Sequence, residues 1–159
     1  MASNDTDCQE DRPQLTLHKS QGILRYSIEP NVGYKLIVEV DREISNYYRS
    51  LIPKYIDWLP QKYPPHISVV RHETPPNLEA WDKYDGEKIE FEYPGIIYSG
   101  TVYWWLNAFS ERLEEIRVEL GLPISSMYTR PPEGFDKVFH ITLANRKHEI
   151  SPVQSSASC

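Results

Sequence analysis

Residues 88–93 read Lys-Ile-Glu-Phe-Glu-Tyr, polar and apolar in strict turn. A period of two puts Ile89, Phe91 and Tyr93 on one side of an extended strand and Lys88, Glu90 and Glu92 on the other. A strand of that kind is stable only within a sheet that has one buried and one wet face. The chain must therefore build such a sheet and cover it.

The neighbouring segments supply partners. Residues 34–40 (YKLIVEV) are rich in β-branched and aromatic side chains and predict a buried strand. A helix is expected next, with Asp41 as N-cap, Ile44, Tyr47, Tyr48, Leu51 and Ile52 as its apolar stripe, and Pro53 as its stop. Tyr63-Pro64-Pro65 makes a turn before a strand at 66–70. Residues 96–105 predict one strand or two, bent at Gly100. The clearest helix is expected at 107–120, with Leu106, Phe109, Leu113, Ile116 and Leu120 as its stripe, Gly121 at C′ and Pro123 just beyond. Its charged residues Glu111, Arg112, Glu114 and Glu115 read as a solvated face. A last strand is expected at 137–145. Strands and helices alternate irregularly with hairpin-like spacings, which predicts an α+β fold with mainly antiparallel sheet.

The 159 residues suit one domain. Residues 1–20 and 151–159 are polar and aperiodic and read as flexible tails around a folded region at 21–150. No apolar run is long enough to span a bilayer, and the polar N-terminus does not read as a signal peptide, so a cytoplasmic protein is expected. Cys8 and Cys159 lie in the two tails with no metal-ligand neighbour and read as incidental. The net charge of −6 argues against long nucleic acid, whose binders usually carry a basic face. A small nucleotide is still compatible, because a few cations in a cleft can hold a few phosphates.

One pattern occurs twice. His66-Ile67-Ser68-Val69 and His140-Ile141-Thr142-Leu143 are both histidine, apolar, hydroxyl, apolar, and both fall on expected strands. Arg71 and His72 follow the first copy; Arg146, Lys147 and His148 follow the second. Alternation sends each histidine and its hydroxyl to one face and the apolar pair to the other. Two such strands facing one cleft surround a site with four polar groups. Imidazole titrates near neutrality, so one copy can take a proton while the other gives one. The hydroxyls can donate to the oxygens of a phosphodiester as negative charge builds there, without a metal. A single motif is ordinary, and a lone strand histidine is usually structural. Two copies among five histidines arise by chance on the order of a few times in a thousand.

Other candidates carry less. Tyr26 (after Arg25) and one of Tyr103, Trp104 and Trp105 can stack on a base, although core packing is the plainer reading of each. Arg71 and Lys147 are candidate substrate-binding residues. His72 and His148 lack a carboxylate or cysteine at a metal-ligand spacing and read as surface residues. No phosphate-loop, dinucleotide or nucleophile-elbow motif is present.

The paired motifs resemble those of the 2H phosphoesterase superfamily, which includes the LigT-like RNA cyclic phosphodiesterases. The stretch NYYRSLIPKYIDWLPQKYPPHISVVR, the later Tyr- and Trp-rich strand and FHITLANRK are similar to one branch, the phage anti-CBASS cyclic-oligonucleotide phosphodiesterases. The likeness spans roughly residues 22–148. It implies a two-lobed fold with mainly antiparallel sheets around a central cleft and flanking helices, with the motifs on facing central strands. It implies a cofactor-free hydrolase that opens 3′,5′-linked cyclic di- and trinucleotides, bacterial immune signals, to linear products in the host bacterial cytoplasm. The partner implied is thus a small cyclic oligonucleotide, with no membrane. Carried onto this chain, the resemblance makes His66 and His140 the acid/base pair and Ser68 and Thr142 the phosphate grip. An RNA-end enzyme acting on 2′,3′-cyclic phosphates or 2′–5′ linkages, and a protein that sequesters a nucleotide without cleaving it, are the alternatives.

Overall fold

A computed structural model describes residues 16–131 and 138–146 of the chain. The described residues form an α+β fold built on one eight-stranded antiparallel sheet. In chain order the elements are β1 (Leu17–Glu29), β2 (Gly33–Glu39), α1 (Arg42–Ser50), β3 (Trp58–Pro60), β4 (His66–Val70), β5 (Lys88–Pro94), β6 (Ile97–Ser99), β7 (Tyr103–Ala108), α2 (Glu111–Glu119) and β8 (Phe139–Arg146). The strands run β5-β1-β2-β4-β8-β7-β6 across the sheet, with β3 paired to the end of β8. The sheet curls far enough for β5 to meet the end of β7, where Glu92 and Phe109 exchange two backbone hydrogen bonds of 2.9 and 2.8 Å.

One face of this sheet carries the core. Leu24, Leu36, Val38, Ile67, Phe91, Leu106 and Ile141 are essentially buried on it, and side chains of both helices complete it. The strict alternation of β5 comes out as read, with Ile89, Phe91 and Tyr93 buried. Residues 96–105 are two strands rather than one. They form the β6–β7 hairpin, closed by Gly100 N–H donating to the Tyr103 carbonyl.

Three expectations shift. The first is the N-terminal tail, placed at 1–20. Its last residues are already strand, because β1 begins at Leu17 and pairs with β5 along residues 17–23. The second is the start of the later helix. Leu106 and Asn107 continue the β7–β8 ladder, and the helix begins only at Glu111, where Ser110 Oγ caps the Leu113 amide. The third is the face of α1. Asp41 caps it as expected, but the helix buries Ser45 and Tyr48, followed by Ile52, and leaves Tyr47 and Leu51 more than half exposed. Arg112 is also more than a solvated residue: it bonds Glu87 at 2.8 Å and lies over the Tyr84 ring. Among the described residues no helix is long and apolar enough to cross a membrane.

Candidate active site

The two histidine motifs are the two central strands. β4 and β8 are antiparallel neighbours, and Ile67 pairs with Ile141. Both isoleucines are fully buried on the core face. Counting outward from that pair, His66 stands opposite Thr142 and Ser68 opposite His140, all four on the other face. The two hydroxyls and two imidazoles thus occupy the corners of a square, like groups on the diagonal. Diagonal neighbours on adjacent antiparallel strands have Cβ atoms about 7–8 Å apart, a separation that one phosphate group can bridge.

The copies match beyond their sequence. On its outer side β4 pairs with β2, and the register slips so that Val69 and Val70 are both buried. On its outer side β8 pairs with β7, and a slip at the equivalent place buries Leu143 and Ala144 together. A bulge directly after each hydroxyl bends each strand and aims its histidine and hydroxyl at the same space.

The imidazoles are held alike. His66 Nδ1 lies 2.9 Å from the Pro64 carbonyl and His140 Nδ1 lies 3.0 Å from the Thr129 carbonyl. A carbonyl only accepts, so Nδ1 carries the hydrogen in both rings and Nε2 is left for a substrate. The prolines stiffen the first carbonyl. The second belongs to a tight turn, in which Thr129 N–H donates to the Ser126 carbonyl and Thr129 Oγ1 accepts from Ser126 N–H. Neither Ser68 nor Thr142 has its hydroxyl engaged by another described residue, so both are open to a ligand.

Burial lowers the proton affinity of both rings. His140 is pushed down to about 4, by burial first and then by the charges of His66 and Arg71, against its bond to Thr129. His66 is lowered as well, again by burial first, with Lys35 and Arg71 adding to it. Both imidazoles are therefore mainly neutral at pH 7, each with a lone pair on Nε2. A bound phosphodiester anion works the other way and favours the charged form.

These residues line a cleft of about 770 Å³, within the range of small-molecule sites. Among the described residues its walls carry Lys35, Arg71 and Arg130 against one carboxylate, Glu29, so this described lining is basic in an acidic chain. Tyr63, Tyr103 and Tyr128 stand at it, each residue 40% to 60% exposed. Among the described residues no cluster of three or more His, Cys, Asp or Glu side chains is arranged to hold a metal.

Of the weaker candidates, Arg71 lies in the cleft. Trp105 also lines it, beside Thr142, while its neighbour Trp104 points into the core. Trp105 is fully buried, its Nε1 donates to Asn107 and its ring stacks on Tyr98, so it forms wall rather than an exposed platform. Tyr26 is a correction. It shares the core face of β1 with Leu24, its ring meets Trp81 edge-on at 4.9 Å, and its hydroxyl is buried. Burial pushes that hydroxyl up to about 12. Lys147 lies outside the described residues. His72 is exposed against Tyr128, and His148 lies outside the described residues.

Sequence reasoning missed Lys35, Tyr63, Tyr128 and Arg130. Lys35 had a signal. In β2 the residues Lys35, Ile37 and Glu39 alternate with Leu36 and Val38, which marks 35 as lying off the core face. Tyr128 and Arg130 sit on an irregular loop with no period to read.

No family model matches the chain, and it matches no curated protein and no solved structure.

Proposed function

We propose that this protein is a metal-independent phosphodiesterase of the two-histidine, LigT-like kind, acting on 3′,5′-linked cyclic di- and trinucleotides that serve as bacterial immune signals. The observation that carries the reading is the square of His66, Thr142, Ser68 and His140 on the floor of a basic cleft edged with tyrosines. The substrate class rests on the sequence resemblance. The basic walls and aromatic edge support it by suiting a ligand with both phosphates and bases.

In this reading the scissile phosphate lies over the square. In this assignment His140, held neutral by burial, takes the proton from a ribose 2′-hydroxyl through Nε2, and that oxygen attacks phosphorus. His66, protonated with the anion bound, gives its Nε2 proton to the departing 5′-oxygen. One P–O bond forms and one breaks, which opens the ring to a linear chain ending in a 2′,3′-cyclic phosphate. Ser68 and Thr142 donate to the non-bridging oxygens as their charge grows.

The test is incubation with 3′,3′-cyclic GMP–AMP in EDTA followed by mass analysis. Wild type yields linear product, while His66→Ala and His140→Ala each lose roughly 10²- to 10⁴-fold in rate, the usual worth of a general acid or base. If the ring stays intact, that substrate is rejected and RNA 2′,3′-cyclic ends are assayed next. A tightly bound but uncleaved ring points to sequestration instead.

A further inference from the structure

A second cavity of about 190 Å³ opens beside the cleft. One wall is α1. Arg42, Ser45, Asn46 and Arg49 are spaced i, i+3, i+4 and i+7, a single stripe along one side of the helix. That spacing usually carries the apolar residues of a surface helix, and here it carries two cations and two polar groups. The other wall is the segment from Gln61 to Pro65, which adds Lys62. Among the described residues no aspartate or glutamate lines the cavity, although the chain as a whole is acidic. Among the described residues neither Arg42 nor Lys62 has a carboxylate partner.

The cavity adjoins the catalytic cleft. Gln61 and Tyr63 line both. Pro64, on the wall of the second cavity, is the residue whose carbonyl holds His66. Whatever binds there sits against the proline that clamps His66 and lies beside the exposed Tyr63.

We propose that Arg42, Arg49 and Lys62 form an outer phosphate subsite, which holds a phosphate of a nucleotide ligand that the cleft itself does not reach. The inference rests on the phosphodiesterase reading and extends it to ligand size. The floor square takes one phosphate and the cleft cations Lys35, Arg71 and Arg130 take a second. A third phosphate, present in a cyclic trinucleotide and absent from a dinucleotide, passes Tyr63 and reaches the outer cations. Arg49 is fixed for this by its bonds to Ser45 and Asn46, whereas Arg42 and Lys62 close on the ligand.

The test uses all-2′-deoxy cyclic triadenylate and cyclic diadenylate. Both lack the attacking hydroxyl and so report binding without turnover. Calorimetric titration of wild type and of the Arg42→Ala/Lys62→Ala double variant is expected to show the trinucleotide weakened about tenfold by the variant and the dinucleotide unchanged, the worth of two exposed charge contacts. An Arg42→Lys/Lys62→Arg variant, which keeps both charges, retains most of the trinucleotide affinity. Equal weakening of both rings, no weakening of either, or no binding of either ring by wild type overturns the subsite. Loss of the phosphodiesterase reading looks different: ribose rings that bind, remain intact and still depend on Arg42 and Lys62 for the larger ring.

Discussion

The floor of the cleft is made of four side chains whose roles separate cleanly when each is altered. Ser68 and Thr142 have no described protein partner, so they are free to answer charge on a phosphate. If the proposed reaction is right, Ser68→Ala and Thr142→Val each lower kcat about 100-fold with little change in KM, the usual effect of removing an oxyanion donor; steady-state kinetics on 3′,3′-cyclic GMP–AMP measures this. A rise in KM alone would instead mean that they only bind. His140 makes a separate prediction about stability. Its folded form resists protonation down to about 4, whereas an unfolded histidine titrates near 6.5. Between those values the unfolded chain binds more protons, so stability is full above about pH 6.5 and falls as pH drops toward 4. The loss from this ring is up to about 3 kcal/mol, and His66 adds to it in the same direction. Urea unfolding at several pH values tests it: wild type should lose more stability on acidification than His140→Asn, and parallel curves would refute the assignment.

At the scale of elements, β4 is anchored from behind by α2. Arg117 is fully buried and bonds the Val69 carbonyl at 2.7 Å, the Pro123 carbonyl at 2.7 Å and both Glu73 oxygens at 2.9 Å. One guanidinium thereby ties together the end of β4, the segment that carries Arg71, and the start of the loop that leads to Thr129, Tyr128 and Arg130. His72, with φ 56°, lies in the left-handed region, and the chain turns there between Arg71 and Glu73. Arg117→Met strands a carboxylate and two carbonyls and is expected to cost about 3–5 kcal/mol in urea unfolding. Glu73→Gln turns one accepting oxygen into an NH2 donor facing the guanidinium and leaves the buried cation without a counter-charge, so it too should cost about 3–5 kcal/mol. If Arg117→Met costs no more than a surface substitution, the cluster does not hold these segments together.

For the whole molecule the point of interest is an acidic chain with a basic hole in it. The total of −6 repels anions at long range, while Lys35, Arg71 and Arg130 attract them inside the cleft. At short range the cleft dominates, because field lines focus between low-dielectric walls. kcat/KM for a cyclic dinucleotide is therefore expected to fall several-fold as ionic strength rises from about 0.05 to about 0.5 M, where screening shortens to a few ångströms. A rising or flat profile would show the overall charge prevailing.

Both histidine motifs, the alternation of β5, the cap of α1 and the Gly121 stop of α2 were legible because they are local: period, cap chemistry and residue type act within a few positions. The same logic let the sequence pair His66 with His140 as candidates, since two copies of one short pattern need no contact map to be noticed. It could not make them neighbours. That follows from β4 and β8 pairing across 74 positions at Ile67 and Ile141, a non-local choice set by which faces the core must bury. Tyr26 went to the core and Lys35 to the cleft for the same reason, as their strands' faces were assigned by packing. Tyr63, Tyr128 and Arg130 reach the cleft on irregular backbone, which carries no period at all. Residue chemistry was thus written locally, and its assembly into one site was decided by the sheet.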